Sequence, residues 1–283
     1  MMNREKSTGY VVRLAVWCVL AAIGSISLAY ADNGPASQLF RTPQSTAQIV
    51  SAVDGVGDLA AIPLALHIVL QPGWKTYWRS PGDAGYPPQV DVAGSTNVAR
   101  AELMWPVPHR FQLFGLQTFG YGEEVAFPLM VTPEHPGAPV TLKAKIRYLV
   151  CEQICVPQES ELALDLPSGA AAPSGFAPLI NRFASLVPKG GDRLGWSVDQ
   201  VAIDQQNQLI VDVKSTGEVL NAPDVLVEGA SQFYFGPPKV ELSADRHAAR
   251  LFLAVERLGN GAEVADSDLT LTVFDGERGM EMK

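Results

Sequence analysis

The sequence has few cysteines and few basic residues for its length. Its 283 residues include 3 Cys, and 21 Lys plus Arg stand against 30 Asp plus Glu, which gives a formal net charge of -9. This balance argues against a nucleic-acid binder, because such proteins normally present a basic face to phosphates. Three cysteines are also too few for a disulfide-rich scaffold. Hydrophobic residues make up 47% of the chain, which is enough for one large or two modest cores and excludes disorder as a description of the whole chain.

Motifs of several common enzyme classes are missing as well. There is no Gly-x-Ser-x-Gly elbow of a serine hydrolase. Gly55-Val56-Gly57 lacks the downstream glycine and the strand-to-helix context that dinucleotide binding requires. The histidines show no metal-ligand spacing among themselves, and the six methionines form no Met-rich tract; the histidines are His67, His109, His135 and His247.

Residues 1–31 have the pattern of an export signal. Three basic residues begin the chain, the 17 residues Leu14–Tyr30 carry no charge, and Ala29-Tyr30-Ala31 supplies a small-x-small cleavage pattern. An uncleaved membrane anchor is the alternative, but the uncharged run is shorter than the ~20 residues that span a bilayer. We expect cleavage after Ala31 and a soluble protein in an oxidising compartment, with 18 basic and 29 acidic residues and a net charge of -11.

The rest of the chain has the pattern of β-strands. Short runs rich in β-branched and aromatic residues alternate with Pro and Gly clusters, which predicts an all-β fold. Between the two halves, Pro167–Gly175 has linker composition and Ala177–Val187 has the apolar spacing of a short helix. We therefore predict two β-sandwich domains, at 32–168 and 193–283, joined by a linker with a short helix at 169–192.

The two cysteines of the mature chain, Cys151 and Cys155, are predicted to face each other across a hairpin. The segment Lys143–Cys151 alternates between apolar and polar residues, as one strand of a sheet does. Four residues of continuous strand cover ~13 Å, beyond the reach of a disulfide, and Pro157 disfavours a helix. A loop at 152–154 would bring the Cα atoms to ~4.5–5.5 Å. Both cysteines would then lie on the polar face, open to a partner.

The residues alone leave three roles open for this pair. A disulfide across so short a loop removes only ~2 kcal/mol of unfolded-state entropy, so a structural staple is favoured less than redox exchange. Lys145 and Arg147 would favour a thiolate if they lie beside Cys151. Alternatively, Cys151 and Cys155 could hold Cu(I), since two thiolates with a distant histidine suit that ion.

Five segments between residues 47 and 166 carry a more specific pattern. They are Gly73–Trp78, Ser80–Pro88, Trp105–Phe111, Phe119–Pro128 and Tyr148–Pro157. Together and in this order they resemble the N-terminal periplasmic domain of the DsbD family of thiol:disulfide interchange proteins, in particular its ScsB-like branch. The second half has no comparable motif.

The resemblance implies an immunoglobulin-like sandwich whose catalytic pair is Cys151 and Cys155. It implies that the pair receives electrons from a membrane-embedded thiol reductase and passes them to periplasmic thioredoxin-like or other thiol proteins. Such an exchange needs no prosthetic group. If the two cysteines bind a metal instead, the cofactor is copper. Following the family, Cys155 is the favoured first point of attack.

The family also implies an aromatic cap that shields the disulfide until a partner docks. The corresponding stretch is 109–121, and its candidates are Phe111, Phe114, Phe119 and Tyr121. Another aromatic group, Trp74, Tyr77 and Trp78, is interpreted either as a docking patch or as packing at the rim of the sandwich.

The sequence departs from the family in two ways. The best-known DsbD domains have five residues between their cysteines, whereas three residues separate Cys151 from Cys155. The family's full-length members continue into a transmembrane electron carrier and a thioredoxin-like domain, and this sequence reaches Lys283 without either. We therefore expect it either to work with a separate membrane reductase or to have diverged into another role, such as an interaction module whose disulfide is inert.

Overall fold

The structure is a computed structural model that describes residues 33–113, 115–258, 264 and 267–283. The predicted export signal at 1–31 and the cap candidate Phe114 lie outside the described residues. In the described part of the chain, no helix has both the length and the apolar character needed to cross a bilayer.

The first half of the chain forms two antiparallel sheets that pack face to face. One sheet has the strand order β1-β2-β3-β9-β6, and the other has the order β11-β10-β4-β8-β7 with β5 paired to β10. The strands are β1 (Phe40–Arg41), β2 (Ser45–Ser51), β3 (Ile62–Leu70), β4 (Lys75–Gly82), β5 (Gln89–Asp91), β6 (Arg100–Leu103), β7 (His109–Leu113), β8 (Leu116–Gly122), β9 (Glu124–Thr132), β10 (Val140–Cys151) and β11 (Cys155–Leu166).

Side-chain alternation along these strands builds the core between the two sheets. In β10 the inward face is wholly buried, and its members are Val140, Leu142, Ala144, Ile146, Tyr148 and Val150. The hydroxyl of Tyr148 lies 2.9 Å from the Ser45 hydroxyl, so its one polar atom is hydrogen-bonded inside the core. Trp78 and Phe127 are the other very large side chains that are fully buried there.

The segment after β11 is held against the first sandwich. Residues 167–175, predicted to be a linker, run beside 52–57 with backbone hydrogen bonds such as Gly57 N–H to Gly169 O (2.8 Å). The helix α1 (Ala177–Ser185) follows, and its Ile180 and Phe183 are buried in the core of the first sandwich. A short 3-10 turn at Gly191–Arg193 leads into the second half.

The second half forms a smaller sandwich with a core of its own. One sheet has the order β12-β13-β17-β15 with β16 paired to β17, and the other has the order β14-β18-β19. The strands are β12 (Trp196–Ile203), β13 (Gln208–Ser215), β14 (Asp224–Glu228), β15 (Phe233–Phe235), β16 (Lys239–Leu242), β17 (Ala248–Arg257), β18 (Thr270–Asp275) and β19 (Arg278–Met282). The predicted all-β fold of immunoglobulin-like sandwiches is confirmed, and the predicted domain bounds stay a prediction.

The packing of α1 can be tested by removing its largest buried side chain. Phe183→Ala should lower the free energy of unfolding by about 3–5 kcal/mol, because it leaves a cavity in the first core. The control is Asn181→Ala, an exposed position on the same helix. Urea unfolding followed by circular dichroism gives both values. Equal losses in the two variants would contradict the packing described here.

Candidate functional site

The site lies at the tip of the β10–β11 hairpin. Cys151 is the last residue of β10 and Cys155 the first of β11, and the strand register pairs them directly. They form a disulfide, with their Cα atoms 4.2 Å apart. Inside the three-residue loop, the Glu152 amide donates to the Ile154 carbonyl at 3.1 Å. The predicted hairpin is therefore confirmed.

The two halves of this disulfide differ in their exposure to solvent. Cys155 is exposed, and the neighbouring Ile154 is 64% exposed. Cys151 is completely buried. The prediction that both cysteines are open to a partner is wrong for Cys151, because the outer face of β10 is covered at this end of the strand.

A small apolar cluster provides that cover. Its buried members are Tyr77, Leu149 and Cys151, and Tyr86 and Leu113 pack against it. Leu149 and Cys151 occupy the outer face of β10, which further along the strand carries only charged or polar side chains. At the hairpin end of β10, the outer face of the strand is therefore covered by a small apolar cluster, whereas the rest of that face is in contact with solvent.

Tyr77 of β4 makes the closest polar contact to the disulfide. Its hydroxyl donates a hydrogen bond to the Cys151 sulfur at 3.0 Å and lies 4.0 Å from the Cys155 sulfur. Burial raises the pKa of Tyr77 above its ordinary value of about 10, so the phenol remains a hydrogen-bond donor at neutral pH. No pattern in the sequence distinguishes Tyr77 from its aromatic neighbours Trp74 and Trp78.

Gly85 lets the chain pass directly over the Tyr77 ring. It has φ +98°, and a Cβ atom at this position would overlap the ring. Glycine is the residue that combines this backbone conformation with so close an approach. The ring is thus enclosed between the backbone of Gly85 on one side and the cysteine hairpin on the other.

The predicted cap aromatics have other partners. The Lys75 ammonium lies 5.1 Å from the centre of the Phe111 ring, and the Arg110 guanidinium lies 4.9 Å from the centre of the Phe119 ring. Tyr121 is buried in the main core, where its hydroxyl donates to the Pro106 carbonyl at 2.7 Å. From the described part of 109–121, the residue that packs on the Cys151 cluster is Leu113. The structure thus places Phe111, Phe119 and Tyr121 outside that cluster, whose aromatic members are Tyr77 and Tyr86.

The predicted cationic neighbours lie away from the sulfurs. Lys145 and Arg147 precede Cys151 by six and four residues on β10, which is ~20 and ~13 Å of strand. Lys145 pairs with Glu159 at 2.8 Å, and Arg147 donates to Gln89 at 2.9 Å. The basic residue that pairs with Cys151 in the strand register is instead Lys75 of β4.

Histidines do not join the cysteines in a metal site within the described residues. No group of three or more His, Cys, Asp or Glu side chains is placed to hold a metal ion there. His67 of β3, for example, has its Nε2 3.0 Å from a carboxylate oxygen of Glu124 on the neighbouring strand β9, in the other sheet.

Residues 43–167 match the family model described as thiol:disulfide interchange protein DsbD, N-terminal. The matched segment contains the disulfide, Tyr77 and Gly85. The first sandwich is therefore similar to the N-terminal domains of the DsbD family. The second sandwich matches a different model, a domain of unknown function (DUF8393), over residues 186–283.

A solved structure with a similar fold includes counterparts of both sandwiches. It is the N-terminal periplasmic domain of ScsB from Proteus mirabilis, with a TM-score of 0.67 and 22% sequence identity. The match covers 87% of this chain and 96% of that one. No curated protein matches the sequence. The similarity of fold therefore extends over both sandwiches.

The hydrogen bond to Cys151 can be tested by removing one hydroxyl. Tyr77→Phe should slow reduction of the disulfide by dithiothreitol about tenfold, because a hydrogen bond to a charged group is worth about 1.5–3 kcal/mol. The rate is measured by quenching with acid and counting free thiols by mass. Tyr86→Phe is the control, since the Tyr86 hydroxyl contacts the backbone oxygen of Tyr148 at 3.4 Å. Equal rates of disulfide reduction in Tyr77→Phe and Tyr86→Phe would show that the Tyr77 hydroxyl does not assist the reaction.

The close approach of Gly85 can be tested against a glycine in open space. Gly85→Ala and Gly94→Ala both place a side chain at positive φ, which costs about 1–3 kcal/mol. Gly94 has nothing near its missing Cβ, whereas Gly85 has the Tyr77 ring. Thermal unfolding should therefore show a larger loss for Gly85→Ala. A loss no larger than that of Gly94→Ala would be inconsistent with the enclosed ring.

Proposed function

We propose that this protein is a periplasmic electron relay that exchanges its Cys151–Cys155 disulfide with partner thiols. It takes electrons from a membrane-embedded thiol reductase and passes them to periplasmic thioredoxin-like or other thiol proteins. The observation that carries the proposal is the asymmetry of the pair, with one exposed sulfur and one buried sulfur that accepts a hydrogen bond from Tyr77.

This asymmetry assigns a direction to the first step. A partner thiolate attacks the exposed Cys155 sulfur, a new disulfide forms between the partner and Cys155, and the Cys151–Cys155 bond breaks. The electron pair of the broken bond goes to the Cys151 sulfur, where the Tyr77 O–H stabilises the thiolate. A second thiolate of the reductase then releases the mixed disulfide, leaving Cys151 and Cys155 reduced.

In the second half of the cycle, the reduced protein passes its two electrons to a receiving protein. The Cys155 thiolate attacks a disulfide of the receiving protein and forms a second mixed disulfide. The Cys151 thiolate then attacks Cys155, restores the internal disulfide and releases the reduced partner. Each cycle therefore moves two electrons, and every bond to a partner is made through Cys155.

The surroundings of Cys155 suit contact with another protein. The neighbouring Ile154 is a large apolar side chain that is 64% exposed. Such a disulfide contributes little as a staple, since closing a loop of about five residues removes only ~2 kcal/mol of unfolded-state entropy. Both features favour exchange over a purely structural bond.

The periplasm is the compartment that fits this chemistry. A stable disulfide requires an oxidising environment, and the predicted export signal at 1–31 would deliver the chain to one. The similar ScsB structure is described as a periplasmic domain.

Single-cysteine variants test the relay directly. Reduced Cys151→Ala retains the exposed sulfur and should form mixed disulfides with periplasmic proteins and with 5,5′-dithiobis(2-nitrobenzoate) at least tenfold faster than reduced Cys155→Ala. Mixed disulfides are resolved on non-reducing gels and identified by mass. The double Cys→Ala variant is the control for non-covalent capture. Failure of both single variants to form any mixed disulfide would refute the relay.

Copper binding by the same two thiolates remains the alternative hypothesis. Anaerobic titration of the reduced protein with Cu(I) distinguishes it, because a metal carrier binds one equivalent tightly and loses it in the double Cys→Ser variant. Tight binding together with a disulfide that resists thiol reduction would favour copper over the relay.

A further inference from the structure

The second sandwich contacts the strands that build the cover over Cys151. Tyr77 belongs to β4 and Leu113 to β7, and both strands also carry arginines that reach the second sandwich. The family model that matches this sandwich is described only as a domain of unknown function. The contacts of the second sandwich with β4 and β7 therefore indicate how it could affect the surroundings of the disulfide.

Arg79 ties β4 to two strands of the second sandwich. Its guanidinium donates to both carboxylate oxygens of Glu228 on β14, at 2.6–3.2 Å, and also pairs with Glu281 on β19. Trp78 is buried in the main core, while Tyr77 and Arg79 on either side of it face outward. The residue that covers Cys151 and the residue that anchors β4 are thus two positions apart on one face.

Arg110 makes the equivalent tie from β7. Its guanidinium forms a two-pronged ion pair with Asp224 on β14, at 2.6 and 2.8 Å, and donates to the Val225 carbonyl at 3.1 Å. From β8, the Gln117 amide donates to the Phe235 carbonyl at 3.3 Å. Leu113 lies three residues beyond Arg110 on the same strand.

These ties are partly removed from water. The side chains of Arg110 and Asp224 are 16% and 19% exposed, and those of Arg79 and Glu228 are also mostly covered. Two-pronged arginine–carboxylate pairs fix orientation as well as distance, and partial burial reduces their screening by salt. Leu226 and Phe274 of the second sandwich add apolar contact, since both belong to the main core of the first sandwich.

We propose that the second sandwich is a brace that holds β4 and β7 so that Tyr77 and Leu113 stay closed over Cys151. The brace confines disulfide exchange to Cys155, and Arg79 and Arg110 are its positioning residues. This inference rests on the proposed function for its biological consequence, because confinement matters only when a partner thiol attacks the disulfide. The closure itself is a property of the fold and is measured separately.

The test measures how accessible Cys151 is. In the full chain carrying Cys155→Ser, the reduced Cys151 is reacted with iodoacetamide, and the rate of alkylation is followed by mass spectrometry. Adding Arg79→Gln should raise this rate at least fivefold, because β4 loses its anchor. Tyr77→Ala in the same background sets the rate of an uncovered Cys151.

A matched control separates the brace from a general loss of ion pairs. Arg250 forms a two-pronged pair with Asp212 at 2.6 and 2.7 Å within the second sandwich. Arg250→Gln should leave the alkylation rate within twofold of the parent. Arg110→Glu should raise the rate as Arg79→Gln does, and adding Asp224→Arg to Arg110→Glu should bring it back down.

A double variant shows whether Arg79 acts through Tyr77. Arg79→Gln should add nothing to the rate already reached by Tyr77→Ala, because there is then no cover left to loosen. Circular dichroism verifies that each variant is folded. If Arg79→Gln does not fold, the alkylation rate is measured in Asp224→Asn instead. An unchanged rate in the folded Arg79 or Asp224 variant overturns the brace.

The outcomes for the brace and for the relay are independent. If the single-cysteine variants capture partners but Arg79→Gln leaves Cys151 shielded, the brace is wrong and the relay stands. If Arg79→Gln exposes Cys151 but no mixed disulfide forms with any partner, the brace is correct as a structural device and the relay is wrong.

Discussion

The hydrogen bond from the Tyr77 hydroxyl to the Cys151 sulfur is the contact around which the site is organised. It requires β4 to lie beside the end of β10, and the pairing of Lys75 with Cys151 fixes that position. It also requires a glycine at position 85, since any side chain there would occupy the space of the Tyr77 ring. On the far side of β4, Gly120 allows β8 to approach the Thr76 carbonyl more closely than a side chain would permit. Both glycines serve the placement of one phenol.

The hairpin could be predicted because its evidence is local. Alternation along 143–151, the strand pattern after Cys155 and the residue Pro157 all point to one turn between two strands. The unequal exposure of the sulfurs could not be predicted in the same way. The side chain that buries Cys151 lies 74 residues earlier in the chain, and the alternation that correctly places Cys151 on the outer face indicates solvent there.

The all-β class was predictable from strand patterns, whereas the contacts between the sandwiches were not. Arg79 and Glu228 are 149 residues apart, and neither has a local pattern that indicates a partner. The segment 167–175 shows a related difficulty. Its Pro, Gly and Ala composition is typical of a flexible connection, yet its carbonyls accept hydrogen bonds from 54–57. Composition describes the conformational tendency of a segment by itself and does not show which part of the fold it will contact.

The short loop between the cysteines has a consequence for how partners distinguish the two redox states. β10 and β11 are each 12 residues long and paired along their whole length, so the ladder holds the hairpin together whether or not the sulfur–sulfur bond is present. We therefore expect the oxidised and reduced forms to share one backbone shape. In the proposed relay, a partner that binds one form and releases the other would then distinguish them by charge and hydrogen bonding at a single exposed sulfur, and a turnover would not require refolding.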